Sequence, residues 1–206
     1  MRAYRPIADR RRQLVEAGLT IAELDGVAAV TVRRVAAEAG VSLGLVSYCF
    51  GSKAELTLAM AAQIAQEVAD HSDPGTRPTQ VSDSTGDGIA EVLRGAMAGL
   101  WAQIERTPRR QLLTYEITTL ALREPGMEDV ATRQYETVVA LASRVLEHAA
   151  QVAGVTWTRD LEVVANLVVM AIDGATLRWL VDHDSEAALA RLTDIADLLT
   201  TMTTKG

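Results

Sequence analysis

Between Thr31 and Lys53 the chain reads TVRRVAAEAGVSLGLVSYCFGSK, and this run constrains the fold most because it specifies two short helices, the turn between them and a cationic stop. Thr31 is placed to cap a helix whose inner face is Val32, Val35, Ala36 and Ala39, and Gly40 supplies the left-handed backbone that ends it. Ser42 caps the next helix. There Val46 and Phe50, four apart, define a buried line, so at about 100° per residue Gly44, Ser47 and Tyr48 project outward with Leu45 at the edge. Two helices across a tight turn, the second with a small, hydroxyl-bearing and aromatic outer face, have the layout of a helix-turn-helix that enters a groove of DNA.

A helix beginning near Asp9, then Gly26, Thr31, the Ala39-Gly40-Val41-Ser42 turn, Gly44, Val46, Phe50 and Gly51-Ser52-Lys53 together resemble the DNA-binding domain of the TetR family of transcriptional regulators. The resemblance covers roughly the first quarter of the chain and, beyond it, only the helical layout and length. It implies that Ser42, Gly44, Ser47 and Tyr48 meet phosphates or base edges, with Leu43 and Leu45 at variable recognition-helix positions where a leucine can pack on a thymine methyl. Lys53, at the start of the fourth helix, matches a phosphate-contacting lysine. Thr31 and Arg33 stand at the N-terminal end of the preceding helix, where the dipole attracts phosphate, although simple capping serves Thr31 equally well. Arg2 and Arg5 read either as a minor-groove arm or as an unstructured tail. Where many family members carry Leu-Tyr-x-His-Phe, this chain has Val46-Ser47-Tyr48-Cys49-Phe50. Cys49 offers no comparable phosphate donor, which bears on affinity rather than on the fold. Serine at that tyrosine position also occurs in the branch that includes repressors of choline-to-betaine genes.

The net charge of −7 suits a DNA binder only once the chain is divided. Eight basic and five acidic side chains give residues 1–53 a charge of +3, and the remaining 12 basic and 22 acidic groups give the rest −10. A positive head on an acidic body orients toward a polyanion.

Helical periodicity continues along the chain. Leu14, Gly18, Ile21 and Ala22 stripe a first helix over about Asp9–Asp25, and Leu56, Met60 and Ile64 stripe a fourth over about Lys53–Asp70. Residues 71–88, rich in Ser, Thr, Asp, Gly and Pro, read as a mobile loop or linker. Further helical patterns span roughly Ile89–Arg106, Arg109–Arg123, Glu128–Ala153, Thr158–Val181 and Ser185–Met202. Strand signals are essentially missing, Val155-Thr156-Trp157 being too short to count, so the fold expected is all-α with about nine helices. The expected division is a helix-turn-helix domain over 1–53, a connecting helix over 53–70 and a helical effector-binding and dimerisation domain over 71–206.

The segment LEVVANLVVMAIDGATLRWLVD is apolar on nearly every side, and Leu192, Ile195, Leu199 and Met202 form a 3-4-3 seam in the last helix. Both patterns resemble the C-terminal helices with which subunits of the family build a four-helix dimer interface; completion of the chain's own core is the other reading. No stretch is long and uncharged enough to span a bilayer, since the longest, Val163–Leu177, carries Asn166 and Asp173. With one cysteine, Cys49, no internal disulfide is possible, and a cytoplasmic location is expected.

Enzyme signatures are missing. His71, His148 and His183 are scattered, and there is no HExxH, P-loop, nucleophile elbow or metal-ligand cluster, so neither catalysis, cofactor nor metal is expected. Glu67 and His71, four apart, read as a solvated helix end. The family implies an effector pocket, for which Trp101, Tyr115, Tyr135, Met170, Asp173 and Trp179 are the candidates, each equally at home in ordinary core packing. Asp173 can bond a ligand, pair with Arg178 or face solvent. The reading is a homodimeric regulator, more a repressor than an activator, that binds a double-stranded operator and releases it on binding a small apolar or aromatic effector. The rival is an architectural or interaction protein that binds DNA without a ligand.

Overall fold

A computed structural model describes residues 6–72 and 88–205. Arg2, Arg5 and all but the ends of the expected linker lie outside the described residues. Nine α-helices are present among those described: α1 (Ile7–Asp25), α2 (Val32–Glu38), α3 (Leu43–Cys49), α4 (Lys53–Ser72), α5 (Gly88–Arg106), α6 (Pro108–Ala121), α7 (Glu128–Ala153), α8 (Leu161–Asp182) and α9 (Ser185–Thr200). The all-α expectation holds, with one correction. Val155–Trp157 is a strand, β1, which pairs antiparallel with β2, Thr203–Lys205, in the register Val155↔Lys205 and Trp157↔Thr203. Each strand is too short to signal itself, and only the pairing of segments distant in sequence makes them. The sheet also delays α8: Thr158 donates from both N and Oγ1 to Met202 O, and Asp160 caps the helix through a bond from Glu162 N.

Packing divides the chain into two units, one comprising residues up to Ile64 with Arg109–Tyr135, the other Ala65–Pro108 with the chain from Glu136 onward. In the first, Leu14, Leu19, Val27, Val30, Val35, Val46, Phe50, Leu56 and Met60 share a core with Leu113, Ile117, Met127 and Val130. Gly18 makes the crossing of α1 and α4 close, because a Cβ there would lie 2.9 Å from Met60 Sδ. Polar bonds hold α6 in this unit. Arg110 pairs with Glu16 and, at 2.7 Å, with Glu23, while Glu116 accepts the backbone N–H of Val27 at 3.0 Å.

In the second unit α9 packs against both α5 and α8. The α9 seam is consumed here. Leu192 and Leu199 are buried in this chain's own core, with Ile195 and Met202 packed beside them, so the seam does not present a free face. Helix α8 departs from expectation in its hydropathy. By length and mean hydropathy, 1.5, it is apolar enough to cross a membrane, because Asn166, Asp173 and its other scattered polar residues do not offset its aliphatic content. It is also covered on one face only: Val164, Ala165, Val168, Val169, Ala175 and Trp179 are buried, whereas Val163, Leu167, Met170, Leu177 and Val181 are 41–76% exposed.

Candidate DNA-binding interface

The helix-turn-helix is assembled from local bonds that the residue types dictate. Thr31 Oγ1 accepts from Arg34 N at 3.2 Å and opens α2, while Val35 and Ala36 face the core. At its other end Gly40, at φ +63°, lets its own N–H reach Ala37 O and the N–H of Val41 reach Ala36 O, the pairing of a Schellman stop. Ser42 Oγ accepts from Leu45 N at 3.3 Å and opens α3. Val46, Cys49 and Phe50 are buried, Leu45 is half-buried, and Leu43, Gly44, Ser47 and Tyr48 are exposed, Tyr48 to 74%. A Cβ on Gly44 would meet nothing within 4 Å, so no packing in this chain requires glycine there, and the bare backbone leaves room for a close approach from outside.

The end of α3 is held by residues that sequence reasoning missed. Arg11, on α1, donates to the carbonyl of Cys49, lies 4.3 Å above the ring of Phe50 and pairs with Glu55 at 3.0 Å. A cation at a helix C-terminus meets the negative end of the dipole, so one guanidinium serves as cap, ring partner and counter-ion. The other oxygen of Glu55 accepts Gly51 N–H at 2.8 Å. Chiefly that N–H, and then Arg11, hold the Glu55 carboxyl below its ordinary pKa. A signal for Glu55 existed in the sequence: Ser52-x-x-Glu55 is a capping pattern, and Ser52 Oγ does accept Glu55 N at 3.1 Å. No comparable signal marks Arg11, since its partners are 38 and 44 residues away.

Lys53 is placed at the start of α4 as expected, yet its Nζ lies 3.3 and 3.4 Å from the two carboxylate oxygens of Glu124. Arg33 is exposed and makes no ion pair among the described residues, while its neighbour Arg34 pairs with Asp25. The candidate interface therefore offers the exposed α3 face, Arg33 without an ion pair among the described residues and a lysine already paired with Glu124.

Of the six effector-site candidates the structure brings two together. Trp101 and Trp179, both buried, meet edge to face at 5.3 Å in the second unit. Asp173 is half-buried on the same helix as Trp179, and Met170 is 69% exposed on the uncovered side of α8. Tyr115 and Tyr135 belong to the other unit, half-buried and exposed respectively. Among the described residues no group of three or more His, Cys, Asp and Glu side chains is disposed to hold a metal.

Residues 14–60, which span α1 to the middle of α4, match the family model described as bacterial regulatory proteins, tetR family. The chain is 30% identical over 174 residues, 84% of its own length and 85% of the other's, to the HTH-type nicotine-responsive transcriptional repressor HdnoR of Paenarthrobacter nicotinovorans. Among solved structures, a transcriptional regulator of Rhodococcus sp. Rha1 superposes with a TM-score of 0.64 at 20% identity, covering 94% of this chain and 97% of that one. The multidrug binding protein EbrR, complexed with imidazole, superposes with a TM-score of 0.58 at 26% identity, covering 90% and 94%.

Proposed function

This chain belongs to the TetR family of bacterial regulatory proteins, a DNA-binding transcriptional regulator, and from that premise we propose that it is a cytoplasmic homodimeric repressor released from its operator by a small apolar or aromatic effector. The observation that carries the reading is the outer face of α3. Leu43, Gly44, Ser47 and Tyr48 are exposed together, while Arg11 and Glu55 brace the end of the helix from behind. In this reading residues 1–53 form the reading head: Ser42, Ser47 and Tyr48 hydroxyls bond phosphates or base edges, Leu43 and Leu45 supply apolar contact, and Thr31, Arg33 and Lys53 flank them on the backbone.

Dimerisation uses the uncovered side of α8. Val163, Leu167, Met170, Gly174, Leu177 and Val181 recur at 4-3-4-3-4 spacing, the period of a helix–helix seam, and a Cβ on Gly174 would meet nothing within 4 Å in this chain. A second copy laying its own α8 along this stripe buries both at once, and two heads then meet the two half-sites of a near-palindromic operator.

Effector binding is assigned to the second unit, around Trp101 and Trp179, with Asp173 beside them; Met170 lies on the dimer stripe, and Tyr115 and Tyr135 are the remaining candidates. The nicotine response of HdnoR and the imidazole complex of EbrR favour a small nitrogen-containing ring compound. Release is a population shift: the effector binds more tightly to the conformation whose heads are wrongly spaced. The test is selection of an operator from random duplexes, followed by titration of the complex with nicotine and related heteroaromatic compounds. Enrichment of a two-fold symmetric site that Tyr48→Ala no longer binds, and its loss on adding a compound, is the expected result. Failure of any duplex to rise above bulk DNA rejects the DNA reading, and an operator affinity indifferent to every compound favours the ligand-independent rival.

A further inference from the structure

The three tryptophans of this chain lie in or against one core but differ in one respect. Trp157 Nε1 donates to Leu146 O at 3.2 Å, and Trp179 Nε1 donates to Ser185 Oγ at 3.0 Å. Trp101 Nε1 has no acceptor among the described residues, although the residue is only 3% exposed. The hydroxyl of Thr176, also 3% exposed, likewise lacks a partner among the described residues, and it lies one turn from Trp179, whose ring meets Trp101 at 5.3 Å. Two unpaired polar groups therefore sit in the aromatic part of an otherwise aliphatic core. Burying an indole N–H without an acceptor is unfavourable, and such groups are uncommon unless something outside the chain completes them.

We propose that Trp101 Nε1–H and the Thr176 hydroxyl are the polar contacts for the effector, and that the effector class is a neutral, flat aromatic compound carrying a hydrogen-bond acceptor such as a ring nitrogen or carbonyl. This rests on the effector-binding reading above and narrows it. The indole is a donor only, so its partner must accept. The buried residues of this core are aliphatic or aromatic apart from Gln103 and Thr176, with no buried charge among those described, which disfavours a charged ligand that would lose its water without gaining a counter-ion. The edge-to-face tryptophan pair supplies ring surface for an aromatic body.

The test uses quinoline and naphthalene, bicyclic rings of the same shape that differ by one acceptor nitrogen, bound to the purified protein without DNA and measured by equilibrium dialysis. Wild type should prefer quinoline by about tenfold, the equivalent of one charge-free hydrogen bond to a buried donor. Trp101→Phe keeps an aromatic ring and removes the donor, so the ratio of quinoline to naphthalene affinity should fall to about one, whatever the smaller ring does to both affinities together. Thr176→Val should reduce the preference by a smaller factor. Far-ultraviolet circular dichroism and thermal unfolding of all three proteins report folding. A quinoline preference that survives in Trp101→Phe, equal binding of the two probes by wild type, or no saturable binding of either overturns the assignment. Should quinoline bind through Trp101 yet leave operator affinity unchanged, the contact stands and the repressor-release reading fails.

Discussion

The pairing of Lys53 with Glu124 sets a competition that can be measured. Both carboxylate oxygens of Glu124 lie within 3.4 Å of Nζ, and the side chains remain 31% and 40% exposed, so the pair is a partly solvated one. A phosphate that takes Lys53 must displace or share that carboxylate. Pairs of this exposure are worth about 0.2–1 kcal/mol, which for two heads of a dimer amounts to roughly 0.4–2 kcal/mol, or about 2- to 25-fold in operator affinity. Glu124→Gln is therefore expected to tighten operator binding by that factor. It should also steepen the dependence of affinity on salt, because each freed lysine releases about one counter-ion from the duplex. Fluorescence anisotropy of a labelled operator across a salt series measures both. Deleting any negative charge favours DNA slightly, so the decisive comparison is a cycle with Lys53→Ala. If Glu124→Gln strengthens binding as much in the Lys53→Ala background as in wild type, the gain is general electrostatics and the competition is refuted. An unchanged affinity in Glu124→Gln refutes it as well.

Arg11→Ala removes a cation–π contact, a helix-end cation and an ion pair together, and should destabilise the chain by about 1–2 kcal/mol in urea unfolding, with operator binding weakened further as the end of α3 frays; unaltered stability would contradict its bracing role. Glu55, whose pKa is held below its ordinary value of 4.5, contributes stability in full above that value and loses it as pH falls through the lower, folded-state pKa, so the difference in unfolding free energy between wild type and Glu55→Gln should vanish in acid and persist at neutrality. Leu177→Glu, in the middle of the exposed α8 stripe, should convert a dimer to a monomer in sedimentation velocity without loss of helix content, and should abolish tight operator binding; a dimer that persists excludes the stripe as its seam.

Legibility in the sequence followed the range of the interactions. The caps Thr31 and Ser42, the left-handed Gly40, the inward line of Val46 and Phe50 and the outward set of Gly44, Ser47 and Tyr48 were all readable, because each depends on contacts within about four residues and on the period of a helix. The same applies to the stripe of α4, and to the apolar excess of α8, for which composition implied that one chain leaves a face to be covered. What the sequence did not carry was pairing at a distance. The two-stranded sheet joins residues nearly fifty positions apart, Lys53 meets Glu124 across 71, and Glu116 reaches Val27 across 89. The α9 seam had the spacing of a surface for another subunit but is used by α5 and α8 of the same chain, since spacing defines a face and not its partner. Likewise six aromatic, thioether and acidic residues were equal candidates for an effector site until packing set Trp101 against Trp179 and exposed Met170. Local backbone chemistry thus determined which helices form and which side of α3 faces outward, while only tertiary packing, which selects partners by shape and charge among residues far apart in the chain, decided which cations are free, which apolar faces remain uncovered and which indole N–H is left without an acceptor.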